Sequence, residues 1–360
     1  MEPDPDSSQQ QKLRQLMSHD IDTDRLIHTA LKEGLAGLLY KSLMKSGALE
    51  TFEHNQRERL QSLYYRTVVL NQKLIQDLKE VLFLLNQEGI HVVLLQGIAL
   101  LQEVYEDIGL RPMSDIDLWV LKEDYNGLVN VLSSKGYQRD PVYPNTFRKG
   151  TTIFDFHTHI LWADRIRAYR LLLAKDQDYI YRDTRVIDFE GQEARCLSKY
   201  DQVLYLSLHA LKHYVEKLIW LVDIKELIAG WKESDWAAFM KRAKELGQEK
   251  AISYIFFLFH LYDINLPAEA RKLLDRKKLH FLEKKVLRER IKRDSLPLWS
   301  PPLLFSSGKG LQRSLPLVLE TLFPRPEILR QVFEGSPDQK VWQLYCKRTL
   351  QLLGLIKKQL

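Results

Sequence analysis

Between Arg111 and Val120 the chain reads Arg-Pro-Met-Ser-Asp-Ile-Asp-Leu-Trp-Val, and the alternation inside this stretch limits what can surround it. Ile116, Leu118 and Val120 alternate with Asp117 and Trp119, the period of a strand with one face in a core and the other carrying charge. Side chains two apart on a strand emerge on the same face, so Asp115 and Asp117 stand together. Like charges that close are costly unless neutralised, and a divalent cation bound through oxygen does this. Upstream, the apolar run Ile90, Val92, Val93, Leu94, Leu95 stops at Gln96-Gly97, a buried strand breaking into a turn. Ile98 to Tyr105 then reads as a short helix whose first backbone N–H groups, at Gln96-Gly97, make a natural anion site.

Two later segments carry chemistry. Thr152 to Ile160 reads as a strand with Asp155, His157 and His159 on one face and Phe154, Phe156 and Thr158 on the other. A zinc site built on His157 and His159 lacks a third nitrogen or sulfur ligand nearby in sequence. A long helical segment starts at Ser198 and continues through Lys217 and Trp220 to Asp223. Within it His209 and His213 are spaced i, i+4 and share a helix face. A metalloprotease helix needs Glu after its first His, and Ala210 sits there. Core histidines or an exposed polar face remain the plainer readings, and Trp220 reads as a packing residue.

This ordered set resembles the nucleotidyltransferases of the DNA polymerase β superfamily. It is closer still to bacterial nucleotidyltransferase family proteins, which carry Lys-Gly-x-x-Leu, Tyr, Arg-Pro and Asp-x-Asp-Leu-hydrophobic-Val in that order. The matching residues are Gln96-Gly97-Ile98-Ala99-Leu100, Tyr105, Arg111-Pro112 and Asp115 to Val120, and Asp155-Phe156-His157 matches the family's third carboxylate. Two departures stand out. Gln96 replaces the usual Lys, and no Ser follows Gly97, which lies 18 residues before Asp115. The resemblance, over roughly Lys12 to Leu227, implies Mg²⁺- or Mn²⁺-dependent transfer of a nucleoside monophosphate from an NTP such as ATP to an acceptor hydroxyl. It implies Asp115, Asp117 and Asp155 as catalytic and metal-holding residues. Gln96, Gly97, Arg111, Ser114, His157, His209, Lys212 and His213 would contact substrate. An inactive module that binds a nucleotide or partner on the same fold is the alternative, favoured by Gln96. A helical RNA-binding protein fits poorly, because the basic runs lack interleaved aromatics. The acceptor and the oligomeric state stay open.

The remaining expectations concern organisation. A chain of 360 residues suggests about two domains. A formal charge of +6 does not demand a nucleic-acid partner but tolerates a phosphate-bearing substrate. Cys196 and Cys346 alone indicate no disulfide framework. Neither a signal peptide nor a spanning segment is evident, Ile252 to Tyr262 being too short, so a cytoplasmic protein without membrane contact is expected. The expected class is α+β: a small mixed β-sheet nucleotidyltransferase core at 88–197, flanked by N-terminal helices at 12–87 and a C-terminal helical domain at 198–360. Residues 1–11 read as a disordered tail. Gly34 and Gly47 should break the N-terminal helices, and Leu70, Leu74, Leu78 and Leu82 form one stripe. Lys122 to Ser134 reads as a helix, Tyr137 to Arg139 and Phe147 to Lys149 as strands, and Val186 to Leu197 as a hairpin. Trp231 to Arg293 should be helical, with Tyr254, Phe256, Phe257 and Phe259 in the core and Arg271-Lys272 and Arg276-Lys277-Lys278 solvated. Ser295 to Gln312 reads as an irregular connection and Val341 to Lys358 as a last helix.

Overall fold

The alternating apolar segments of the middle third become one mixed sheet, with helices from both ends of the chain laid over it. The computed structural model describes residues 7–359 except 18, 20, 277–278, 298, 308–309 and 334–338. First come α1 (Ser7–Met17), α2 (Thr23–Lys32), α3 (Ala36–Ser46), a 3-10 turn at Ala48–Thr51 and the long α4 (His54–Gln87). Gly34 and Gly47 follow α2 and α3 with φ of 75° and 72°, in the left-handed region that ends helices. Next are β1 (Val92–Leu94), α5 (Gln96–Glu103), β2 (Ile116–Val120), α6 (Tyr125–Ser134), β3 (Gln138–Arg139), β4 (Thr146–Lys149) and β5 (Thr152–His157). After a 3-10 segment at Arg167–Leu172 come α7 (Gln177–Tyr181) and the hairpin β6 (Arg185–Phe189) and β7 (Gln192–Cys196). The rest is helical: α8 (Lys199–Lys212), α9 (Ile219–Ile228), α10 (Glu233–Glu245), α11 (Glu249–Leu261), α12 (Ala268–Arg276), α13 (Phe281–Arg293), α14 (Ser300–Ser306), α15 (Leu311–Leu322), α16 (Pro326–Phe333) and α17 (Val341–Gln359).

The seven strands lie in the order β3-β4-β5-β2-β1-β7-β6. β2 pairs parallel with β5 and antiparallel with β1, and β1 pairs parallel with β7. Strand alternation then sorts the core into two layers. Val92, Leu94, Ile116, Leu118, Val120, Phe154 and Phe156 face Leu78, Leu82 and Leu85 of α4 and Leu128 and Leu132 of α6. Val93, Leu95 and Trp119 face the opposite way, into a larger core shared with α8 and α11. With both faces covered, the central strands are buried throughout, as expected for strands sandwiched between helices.

Several expectations need correction. The second face of β2 is not simply a charged face, since Trp119 is completely buried, edge-on to Tyr181 at 5.4 Å. β5 ends at His157, not Ile160: the Leu161 N–H donates to His159 Nδ1 at 3.1 Å and the chain turns through Trp162 at φ 58°. His159 therefore leaves the strand that carries Asp155 and His157, which removes the paired-histidine zinc reading there. The long helix expected from Ser198 to Asp223 is two helices. α8 stops at Lys212, Tyr214 and Val215 adopt φ of 58° and 51°, and Lys217, Trp220 and Asp223 belong to the returning segment. The segment from Ser295 to Gln312 is not wholly irregular, because Pro301 and Pro302 sit in the first turn of α14, where a missing N–H costs no helical bond. The expected tail is shorter: Ser7 to Gln11 open α1, while residues 1–6 lie outside the described residues. Lys277 and Lys278 also lie outside them; Arg271 and Lys272 are exposed, and the four aromatics of α11 are buried, as expected. In α17 Leu344 is buried but Leu350 and Leu353 are not.

One buried ion pair fastens the two helical ends together across the sheet's helical cover. Glu33, at the end of α2, accepts from Arg290 Nη2 of α13 at 2.6 Å and from the Leu218 N–H at 2.8 Å, and its carbonyl accepts from the Ile219 N–H. Arg290 Nε also donates to the Val215 carbonyl. Both side chains are almost fully buried. Removing one partner strands the other charge, at a typical cost of ~3–5 kcal/mol. Glu33→Ala should therefore lower the urea midpoint by a corresponding amount; a change within about 1 kcal/mol would show that water reaches Arg290 without cost.

Candidate active site

The floor is made by two neighbouring strands. Parallel pairing sets Asp117 opposite Asp155 and Trp119 opposite His157, all on the face turned toward α8. Asp117, Asp155 and His157 each offer a ligand atom within 4.8 Å of the others, a group able to hold a metal ion. His157 Nε2 lies 3.0 Å from Asp117 Oδ1 and 3.9 Å from Asp155 Oδ2. Thr146 donates its hydroxyl to Asp155 at 3.0 Å, and Ser114 donates to Asp115 at 2.8 Å. Burial pushes the Asp117 carboxyl up to about 6, against the lowering effect of His157 and with help from the neighbouring charge of Asp115. Burial opposes the charged form of His157 too, but the hydrogen bond to Asp117 and the charge of Asp155 outweigh it and raise the imidazole. The floor is thus short of positive charge. Carboxylate oxygens suit Mg²⁺, and the added imidazole extends the set to Mn²⁺, so these residues fit a divalent ion.

The turn before α5 forms one side. Gln96 holds a left-handed backbone at φ 52°, unusual for a residue with a side chain, and its amide donates to the Tyr205 hydroxyl at 3.4 Å. Gly97 lets Met113 and Arg111 pack close: a Cβ there would lie 2.8 Å from the Met113 side chain and 2.9 Å from Arg111 Nη1, and both would have to shift. Arg111 is buried, with Nη2 donating to Asp223 Oδ2 at 2.9 Å and Nη1 to the Pro112 carbonyl. Tyr105 donates to the other Asp223 oxygen at 2.8 Å. Asn71, buried on α4, donates to the carbonyls of Ile108 and Arg111. Arg111 therefore spends its charge on Asp223 and ties α9 to the loop that presents Ser114 and Asp115.

The opposite wall is the last turn of α8. His209 and His213 stack at 4.6 Å between ring centres, and Trp220 meets His209 edge-on at 5.1 Å. Lys212 Nζ sits 3.8 Å over the Trp162 ring. Burial brings the Lys212 amine down to about 7, reinforced by Arg165. Burial, then Lys212, hold His213 down to about 3, and burial with His213 keeps His209 well below its usual range. The His209 Nδ1 is buried without a hydrogen-bond partner. The neutral imidazoles leave no room for a charged pair on this helix face.

All eleven site residues named from the sequence line one cavity of about 520 Å³: Asp115, Asp117, Asp155, Gln96, Gly97, Arg111, Ser114, His157, His209, Lys212 and His213. Sequence reasoning missed Arg66, Trp162 and Arg165, which line it too. Trp162 and Arg165 fall just past a strand end, where the only signal is Leu161-Trp162 adjoining the Asp155-Phe156-His157 run. Arg66 lies on α4, 26 residues before β1, in a stretch that reads as plain helix. Trp220 lines the cavity as well as packing.

A mixed sheet that floors a cleft with clustered carboxylates, faced by cations from helices and turns, defines an α+β protein with a site able to hold a divalent ion. The family model described as uncharacterised nucleotidyltransferase matches residues 19–262, well over half of the chain, and the chain belongs to that family. The match carries the family through α11, beyond the Leu227 limit of the motif-based resemblance. No curated protein matches the sequence. Among the described residues no helix is long and apolar enough to cross a membrane.

The raised Asp117 carboxyl has a measurable consequence. Unfolded it titrates near 3.8 and folded near 6, so folding favours the neutral form. That advantage is complete below about pH 4 and is lost as pH rises through about 6, leaving a penalty of ~3 kcal/mol on the charged folded state. In metal-free protein Asp117→Asn should therefore be more stable than wild type at pH 8, by up to ~3 kcal/mol, with the difference closing near pH 4. Urea unfolding across this range tests it. A wild type as stable as the variant at pH 8 would show that His157 already neutralises the site.

Proposed function

We propose that the protein moves a nucleoside monophosphate from an NTP to an acceptor hydroxyl, on a fold related to the DNA polymerase β-like nucleotidyltransferases. The observation that carries this reading is the pairing of Asp117 with Asp155 on adjacent parallel strands, beside Asp115, at the floor of a cavity in a member of a nucleotidyltransferase family. Asp115, Asp117 and Asp155 would hold Mg²⁺ or Mn²⁺, with His157 as a further donor or as the group that orients Asp117. Bound there, the ion neutralises charge on the entering and leaving oxygens.

The chain's own residues supply the rest. Gly97, where a side chain would push on Met113 and Arg111, lets the triphosphate approach the first N–H groups of α5, and Ser114 holds Asp115. Asp155 lies on the far side of Asp117 from that turn and accepts the proton of the acceptor hydroxyl. The hydroxyl oxygen forms a bond to the α-phosphorus, the bond to the bridging oxygen breaks, and pyrophosphate leaves. Arg111, already paired with Asp223, shapes the loop, and Lys212 offsets phosphate charge. Gln96 in the place of Lys leaves one fewer cation by the phosphates, which favours the alternative of a nucleotide- or partner-binding module without catalysis.

Incubation with labelled NTPs, Mg²⁺ or Mn²⁺ and cell extract separates these readings. Label should enter an acceptor with wild-type protein and fall to background with Asp117→Asn, which keeps size but loses the charge. Gln96→Lys should change nucleotide affinity by no more than the value of one charge-assisted hydrogen bond, ~1.5–3 kcal/mol. Equal background in all three proteins sinks the catalytic reading. Nucleotide and metal that still raise the melting temperature would then leave the binding module standing.

A further inference from the structure

We propose that the acceptor is a small hydroxyl compound that already bears a phosphate group, held by Arg165, Lys212 and Lys217 with His209 and His213 at the end of α8. This deepens the nucleotidyl-transfer reading and rests on it.

The first observation is a cluster of like charges that form no ion pair, although Asp164, Asp155 and Asp117 act on Lys212 from a distance. Arg165, Lys212 and Lys217 all line the cavity, and none makes an ion pair among the described residues. Lys212 feels Arg165, and His213 feels Lys212, Arg165 and Lys217, each disfavouring charge on the other. Asp164, off the floor, favours the charged form of Lys212. It accepts from the Asn145 amide and forms no ion pair with any of the three. The cavity's only acids are the three floor carboxylates, which the divalent ion would engage. The negative end of the α8 dipole amounts to about half a charge and cannot balance Arg165 and Lys217, still less a charged Lys212. An anion of higher charge can.

The second observation is the buried Nδ1 of His209, which has no hydrogen-bond partner in a residue that lines the same cavity. Buried polar atoms are almost always satisfied, so an orphan nitrogen sealed behind the lining of a cavity marks a side chain whose hydrogen bonding is left incomplete until the ring shifts toward a ligand.

Position then separates this cluster from the triphosphate. α8 crosses the floor from Tyr205, bonded to Gln96 beside the α5 turn, to Lys212, whose nearest floor charges are Asp155 and Asp117. The α5 turn follows β1, on one side of β2, and the cluster is joined to the segment that follows β5 on the other: Lys212 sits over Trp162 and Arg165 stands three residues further on. Asp155, the residue placed to accept the acceptor's proton, is on β5. The cluster therefore stands where the acceptor enters, and its phosphate anchors the molecule without reacting. A polycationic acceptor would meet Arg165, Lys212 and Lys217 with no acid to receive it.

Calorimetric titration of inorganic phosphate into the full chain, saturated with Mg²⁺ and a non-hydrolysable NTP analogue, tests this. Phosphate should bind the nucleotide-loaded protein. Arg165→Met and Lys217→Met, both at accessible positions, should each weaken that binding by about tenfold, the loss of one charge-assisted contact. Their nucleotide affinity should stay within about twofold of wild type, and their melting temperatures should show them folded. Phosphate that competes with the nucleotide, fails to bind the loaded protein, or ignores both substitutions overturns the proposal and leaves nucleotidyl transfer intact. Failure of the non-hydrolysable analogues of ATP, GTP, CTP and UTP alike to bind, with metal present, overturns the transfer reading and this proposal with it.

Discussion

The register of β2 on β5 decides what the rest of the chain can do. Parallel strands in the middle of a sheet bring Asp117 beside Asp155 without a turn or a metal to force them together, because a shared face and a strand spacing of about 4.8 Å suffice. The geometry is held by what lies on either side. A slip of one residue would send Asp117 into the apolar layer of α4 and α6 and expose Ile116 and Leu118 to the cavity. The helices that sandwich the sheet thus protect the carboxylates indirectly, by making every other register expensive.

The cavity is polarised for a related reason. Asp117 and Asp155 come from strands and Asp115 from the bend just before β2, while Arg165, Lys212 and Lys217 come from a helix end and turns, and Arg66 from the middle of α4. Burial works on both groups in opposite senses, holding Asp117 up to about 6 and Lys212 down to about 7. Neither charge is comfortable alone. A cation on the floor and an anion under α8 would each restore a charged form that the empty protein disfavours, so the two occupants support one another without touching the same residue.

The parts of the site that could be foreseen are those set by local period. Asp115, Asp117 and Asp155 follow from strand alternation, and His209, Lys212 and His213 from helical spacing, and all line the same cavity. The places where the sequence misled are breaks in that period that no proline or glycine marks. Nothing in His213-Tyr214-Val215 announces two left-handed residues, so one helix was expected where two fold back on each other. His159 was expected on the β5 face because Thr158 and Ile160 continue the alternation past the strand's end. Prolines misled in the other sense, since Pro301 and Pro302 begin a helix as readily as they interrupt one. The long-range partners were invisible throughout: nothing near Arg111 points to Asp223, 112 residues away, or near Glu33 to Arg290, 257 residues away.

That last pair bears on how the protein can be dissected. The family match ends at residue 262, which invites a minimal fragment cut close to that boundary. Arg290 lies beyond it, yet its guanidinium meets Glu33 and the Val215 carbonyl, in the bend that brings Lys217 and Trp220 back over the cavity. A fragment trimmed to the conserved-model limits would keep every floor carboxylate and lose the rivet that sets the roof. The matched span is therefore shorter than the span joined by this ion pair, and α13 braces the bend beside the cavity although, among the described residues, it contributes none to the lining.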